Sequence, residues 1–266
     1  MVLKYHKEKG DKMLIDSHAH LDDKRFDIDR KKIIKNMEND GIEIILHPAA
    51  DMTSSVKAVN TAQENKNIYA AVGFHPHNAK EMDESSLEII KSLAKKEKVI
   101  AIGEIGLDYH YDNSPRDIQK KWFVEQIRLA KKLKLPFIIH DREAHGDILK
   151  ILKEEKYDGM KGIIHCYSGS YEMALEFIKL GFLISIAGPV TFKNSKKVKE
   201  VVKKLPLKYL LIETDSPYLA PEPKRGRRNE PAYVRYVASE IGEIKGIPLN
   251  KVAEATSKNF IDFFNL

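Results

Sequence analysis

A repeated alternation constrains this chain more than any other feature. Eight short runs of apolar and β-branched residues recur along its 266 positions, and a stretch of helical period follows each one. The runs occupy 13–18, 42–48, 68–75, 99–106, 136–140, 161–166, 182–188 and 209–214. Helical stretches lie near 27–39, 53–65, 84–95, 116–133, 143–156, 171–179, 195–204, 231–244 and 249–264. Runs such as IEIIL and FLISI are apolar without alternation, the pattern of parallel strands covered by helices. Eight βα units predict an α/β fold, a (β/α)8 TIM barrel, which commonly takes about 250 residues in a single domain. A doubly wound open sheet fits less well, because it tends to carry a glycine-rich phosphate turn after its first strand and none is present here. No linker or low-complexity segment divides the chain. The expected organisation is an N-terminal extension over 1–12 and one barrel over 13–266.

Composition narrows the class. With 42% hydrophobic and 32% charged residues, and no run near the roughly 18–20 apolar residues a bilayer span needs, the chain reads as soluble with no membrane partner. Its first residues, MVLKYHKEKGDK, are charged and lack the apolar core of a secretory signal. A single cysteine, Cys166, excludes an internal disulfide and suits a reducing cytoplasm, the expected compartment. Net charge is +6, which modestly favours an anionic partner, although many lysines sit in solvated runs such as KSLAKKEK. The chain is expected to act as a monomer.

In such a barrel the active site lies at the C-terminal ends of the strands, so polar residues that interrupt apolar runs there are informative. They recur run after run: Asp16, His18 and His20; His75 and His77; Glu104; His140; His165; Glu213 and Asp215. Residues at i and i+2 of a strand face the same way, so His18 and His20 can offer both imidazoles to one ion, at about 2.0–2.1 Å each for zinc. Alone, this pair is a weak signal. It gains force because His140 closes PFIIH and His165 closes GIIH on neighbouring strands, and because Glu104 and Asp215 would be costly to bury unpaired.

Four imidazoles and two carboxylates exceed what one tetrahedral ion can use. Two divalent ions (Mg, Mn or Zn) about 3.5–4 Å apart would use them all. The expected assignment is His18, His20 and Asp215 on one ion, His140 and His165 on the other, and Glu104 as the bridge. A water shared by the two cations would be hydroxide near neutral pH and would serve as nucleophile, with Asp215 taking its proton.

The motifs LIDSHAHLD, GFHPH, IGEIGLDY, LPFIIHDREA, IHCYSGS, PVTFKNSKK, LIETDSPYLAP and RGRRNEPAYV follow one another from about residue 13 to the end. Through them the sequence closely resembles the TatD family of metal-dependent deoxyribonucleases, within the amidohydrolase-like barrels. The resemblance implies a two-metal (β/α)8 barrel whose ligands fall on His18, His20, Glu104, His140, His165 and Asp215. It further implies hydrolysis of phosphodiester bonds in DNA, often as a 3′ to 5′ exonuclease on single-stranded or frayed ends. Some relatives look like deacylases of D-aminoacyl-tRNA, which is the alternative. Departures are the extension and Tyr167, where many members have phenylalanine.

Fold and ligands do not by themselves choose between phosphate and carbonyl substrates. The loops after the strands are read for DNA contacts: Lys224, Arg225, Arg227 and Arg228 in APEPKRGRRNEP as a basic cluster beside the metals, and Arg142 reaching the same oxygens. His75 is read as a substrate-binding group and Tyr109 as a stacking platform for a base. Glu213 is expected to bind substrate or hold an arginine. A reading from another class is a nucleic-acid-binding module with structural metals or none, which would bind without turnover.

Overall fold

Strands that run parallel cannot be joined by tight turns, so each must return through a crossover, and the helical stretches supply one after every strand. The computed structural model describes residues 14–266, so the expected extension over 1–12, and Met13 at the start of the first predicted strand, lie outside the described residues. Eight parallel strands follow one another in sequence order: β1 (Leu14–Asp16), β2 (Ile42–Pro48), β3 (Ile68–Val72), β4 (Val99–Asp108), β5 (Phe137–Arg142), β6 (Gly162–Ile164), β7 (Phe182–Ile186) and β8 (Leu210–Ile212). The helices are α1 (Arg30–Asn36), α2 (Met52–Glu64), α3 (Glu84–Leu93), α4 (Arg116–Leu133), α5 (His145–Glu154), α6 (Tyr171–Lys179), α7 (Lys196–Lys204), α8 (Val234–Lys245) and α9 (Leu249–Phe264). This is the single-domain (β/α)8 barrel that the alternation predicts.

Several strands stop earlier than expected. The first ends at Asp16 rather than 18, the third at Val72 rather than 75, and the last at Ile212 rather than 214. β4 runs two residues longer, to Asp108. Beyond each apolar run the chain leaves the ladder and turns over the mouth, where its polar side chains meet one another.

Two layers of apolar packing hold the barrel. Inside it, Ile15, Leu46, Ala71, Ile138, Ile163 and Leu211 form one cluster, and Phe260 of α9 is buried against them. A larger cluster fills the space between the outer barrel face and the helices. There Gly162 is required by contact: a Cβ would lie 2.4 Å from the Phe182 ring and 2.5 Å from the Phe137 carbonyl oxygen. Among the described residues, no helix is long and apolar enough to cross a membrane.

The seam between β1 and β8 is joined just past the strand ends. Ser17 N–H donates to the Ile212 carbonyl at 3.0 Å, Asp215 N–H to that of His18 at 2.9 Å, and His20 N–H to that of Ser216 at 2.8 Å. Asp16, fully buried, accepts from the Thr214 N–H at 2.9 Å and hydroxyl at 2.5 Å, and from the His18 N–H at 3.2 Å. Truncating Asp16 would leave these donors buried and unpaired, at about 1–3 kcal/mol each in the unrelaxed limit. Asp16→Ala is therefore expected to lower unfolding stability by about 3 kcal/mol in urea titration, and Asp16→Asn by less, since the amide oxygen still accepts.

Candidate metal centre

The residue types that interrupt the apolar runs meet at one point over the barrel mouth. His18 and His20 lie beyond β1, but Ala19 between them forms an isolated parallel bridge to Ser216. The segment therefore stays extended and both rings turn the same way, with Nε2 atoms 3.2 Å apart. Glu104 rises from within β4, flanked by two glycines. A Cβ on Gly106 would lie 2.0 Å from the His140 carbonyl oxygen, and one on Gly103 would lie 2.9 Å from Ile138 Cβ. The glycines let β4 approach β5 closely enough to bring Glu104 against His140.

Glu104 is buried and its two oxygens face different partners. Oε2 lies 3.2 Å from His18 Nε2 and 3.5 Å from His20 Nε2. Oε1 lies 2.8 Å from His140 Nδ1 and 2.7 Å from His165 Nε2. Asp215 Oδ1 completes the first set, 3.7 Å from His18 Nε2 and 3.5 Å from His20 Nε2. Among the described residues, three overlapping groups have ligand atoms close enough to hold a metal: His18, His20 and Asp215; His18, Glu104 and His165; and His75, Glu104 and His140.

The outer nitrogens decide what the inner ones offer. His140 Nε2 lies 3.0 Å from the buried Asp108 Oδ2, and His165 Nδ1 lies 3.2 Å from the buried Glu213 Oε1. A proton held toward each outer carboxylate leaves a lone pair on the inner nitrogen, the arrangement that orients histidines toward a metal. Inner lone pairs facing carboxylate oxygens need a cation between them, either a proton or a metal ion. Imidazole nitrogens with carboxylate oxygens are a donor set for zinc, manganese and similar divalent ions. The residues present fit such ions.

Electrostatics agree with that requirement. Burial alone would raise the Glu104 carboxyl, but the facing imidazoles of His165, His18 and His75 and the hydrogen bond from His140 outweigh it and hold the group well below the usual carboxylate range. Burial would lower His165, yet Glu104 and Glu213 together lift it well above the usual imidazole value. In His18, burial and the neighbouring His165 prevail and the value falls. The metal-free cluster thus keeps at least one proton near neutrality.

His75 enters differently. Its Nδ1 accepts the His77 N–H at 3.1 Å, so the neutral ring carries its proton on Nε2, which points toward Glu104 Oε1 at 3.6 Å. That tautomer turns an N–H toward the cluster, while the same nitrogen stays within reach of the group formed with Glu104 and His140. Asp108 escapes the sequence reading because the strand is taken to end at Gly106, although Leu107 continues the apolar run and Asp108 ends it. His47 is also missed; fully buried, its Nδ1 accepts the Leu21 N–H at 3.1 Å and steadies the loop after His20.

A cleft of about 750 Å³ opens above the cluster. Arg142 lines it, with its guanidinium 4.9 Å from the centre of the Tyr111 ring. Tyr109, Arg225 and Arg228, from which the sequence reading expects DNA contacts, are not among the residues that line it. The Tyr109 hydroxyl donates to Asp147 at 2.6 Å and its ring lies 4.2 Å from the Arg116 guanidinium, so the side chain is packed at the side of the barrel. Arg228 forms a two-pronged pair with Asp29 at 2.7 and 2.6 Å, because α1 brings that carboxylate beside it. Arg225 is drawn onto the Phe192 ring, 4.4 Å from its centre. Glu213 holds His165 and accepts the Cys166 N–H at 2.7 Å, where an arginine or substrate contact is expected from sequence. Burial pushes the Cys166 thiol well above its usual value, in line with a packing role.

Comparison with known proteins agrees with the fold and with the class of site. The family described as TatD related DNase matches residues 15–265. A Bacillus subtilis protein described as an uncharacterized metal-dependent hydrolase, YabD, is 48% identical over 254 residues, covering 96% of this chain and all of the relative. The crystal structure of the Escherichia coli TatD homologue YjjV superposes with a TM-score of 0.90 at 31% identity, covering 95% of this chain and 98% of that one. A TatD family hydrolase structure from Entamoeba histolytica gives 0.86 at 25% identity, covering 96% and 99%. A buried, metal-fitting donor cluster at the mouth of a (β/α)8 barrel defines the class of metal-dependent hydrolases. Within that class, this chain belongs to the TatD family.

Two outcomes follow from the geometry. Asp108→Asn is expected to weaken metal binding by about 10–100-fold, measured by competition with a chromogenic chelator, because His140 loses the carboxylate that directs its proton. Since Glu104 lifts His165 well above the usual imidazole value in the metal-free cluster, zinc or manganese binding should release protons at neutral pH. Apparent affinity should then fall as pH drops, by about tenfold per unit for each proton displaced, in calorimetric titrations across buffers of different ionisation enthalpy.

Proposed function

We propose that this chain hydrolyses phosphodiester bonds in DNA, as a 3′ to 5′ exonuclease on single-stranded or frayed ends, with two divalent ions seated in the cluster. The observation that carries the reading is the division of Glu104 between two sets of imidazoles, one on each carboxylate oxygen. Supporting it, His18, His20 and Asp215 would hold one ion and His140 and His165 the other, with Glu104 shared. Bound there, the ions would supply Lewis acidity to a phosphoryl oxygen and lower the pKa of the attacking water.

The chain's own groups would do the remaining work. Burial would raise Asp215, but the hydrogen bond from His20 and the nearby imidazoles keep it below the usual carboxylate value, so it is ionised, and the oxygen not turned toward His18 and His20 can accept the proton of the attacking water. His75 donates from Nε2 toward the same space. Lys80 and Arg142 line the cleft and would orient phosphate oxygens.

One observation favours the second reading, ester hydrolysis of a D-aminoacyl-tRNA. The outer wall of the cleft carries Asp22, Asp51 and Glu81, a setting suited to the ammonium group of an aminoacyl ester. The two readings differ in product. With magnesium or manganese, the protein is expected to shorten an internally labelled single strand from its 3′ end, and to lose activity to background with chelator or in Glu104→Ala. Release of an amino acid from aminoacyl-tRNA with no loss of nucleotide length would favour the deacylase instead. Full cleavage by Glu104→Ala would remove the shared-carboxylate mechanism.

A further inference from the structure

Across the mouth from the acidic wall of the main cleft, the loops after β6 and β7 enclose a second cavity of about 450 Å³. Tyr167, Ala187, Pro189 and Val190 give it apolar walls, and Cys166, next in the chain to His165, forms part of its lining. The Tyr167 ring is fixed there by its hydroxyl, which donates to the Ser170 carbonyl at 2.6 Å. The size falls within the roughly 300–1,000 Å³ of small-ligand sites.

The charge around this cavity is one-sided. Lys196 and Lys197 line it and are exposed, and no carboxylate is among its lining residues. Neither lysine is ion-paired with a carboxylate among the described residues. Both open α7, whose preceding residue Ser195 makes no side-chain cap, so the positive helix end adds to the two ammonium groups. Arg225 sits on the Phe192 ring but is paired with Glu222 at 3.8 Å, so the two lysines carry the positive charge of this rim. The main cleft, by contrast, is mixed: Asp22, Asp51 and Glu81 line it together with Lys80 and Arg142, and Asp23 is paired with Arg25 at 2.8 Å. A polyanion laid over the metal centre meets mixed charge in the main cleft and positive charge without a carboxylate in the second cavity.

We propose that this second cavity receives the nucleotide adjoining the scissile phosphodiester, with its base against Tyr167 and Pro189 and its own phosphate on Lys196 and Lys197. The assignment rests on the phosphodiester reading and deepens it by naming where the strand is held. An apolar pocket with an aromatic wall accepts any base, and lysines at its rim read phosphate without sequence, so the site grips single strands of any sequence.

The test compares substrates that do and do not reach the cavity. Wild type and Lys196→Glu/Lys197→Glu are assayed on a single-stranded oligonucleotide, on oligonucleotides with an abasic site at each position flanking the cleaved bond, and on methyl p-nitrophenyl phosphate, a diester too small to fill it. Acidic residues at a helix start suit the helix dipole, so the variant is expected to fold, which its melting curve checks. The expected result is a KM for the intact oligonucleotide at least tenfold higher in the variant, with a shallower salt dependence and unchanged turnover of the small diester. In wild type, one abasic position should raise KM as well. An unchanged KM, or an equal loss on both substrates, overturns the assignment. Should wild type cleave no oligonucleotide, calorimetric binding of thymidine dinucleotide decides separately: binding that Lys196→Glu/Lys197→Glu abolishes keeps the cavity while the nuclease reading falls, and absent or unaltered binding removes the cavity too.

Discussion

One buried carboxylate organises the mouth of this barrel. Glu104 is almost wholly removed from water, and a carboxylate in that position is tolerated only with positive charge beside it. Imidazoles crowd its two oxygens, and the more distant carboxylates Asp108 and Glu213 turn His140 and His165 so that their inner nitrogens face it. Charge therefore alternates outward from the centre: anion, imidazole, anion. Metal-free, the arrangement holds protons; loaded, it would hold divalent cations. The same demand for positive charge underlies both states.

The barrel makes this crowding possible by bringing strand ends from distant parts of the chain to one rim. Glycines on both sides of Glu104 remove the side chains that would keep β4 and β5 apart. At the opposite end, the helix that closes the chain places Phe260 against the inner apolar cluster. The ligand-type side chains thus gather at one end of the strands and apolar packing fills the barrel below them.

Much of this was legible in the residues. Apolar runs with a polar residue at the end mark both a strand and its mouth, so His140, His165 and Glu104 could be placed before any coordinates. The pair His18 and His20 was legible for a slightly different reason, since the bridge at Ala19, beyond β1, keeps them on one side. On the longer loops, side chains meet partners that the local pattern does not show. Arg228 turned to Asp29 and Arg225 to Phe192, choices set by partners far away in sequence that no local period encodes. Tyr109 turned to Asp147 for the same reason. Asp108 was within reach of the strand-end rule and was lost by stopping the strand two residues early.

The seam where the first and last strands meet has a mechanical meaning. Its backbone bonds run through His18, His20 and Asp215, so the residues that gather at the catalytic mouth are also the stitches of the closed ring. A cation clasped by those three would act as a rivet between the chain's beginning and its end. Loading the site would then tighten the whole hoop, and emptying it would loosen the ring where the two ends join.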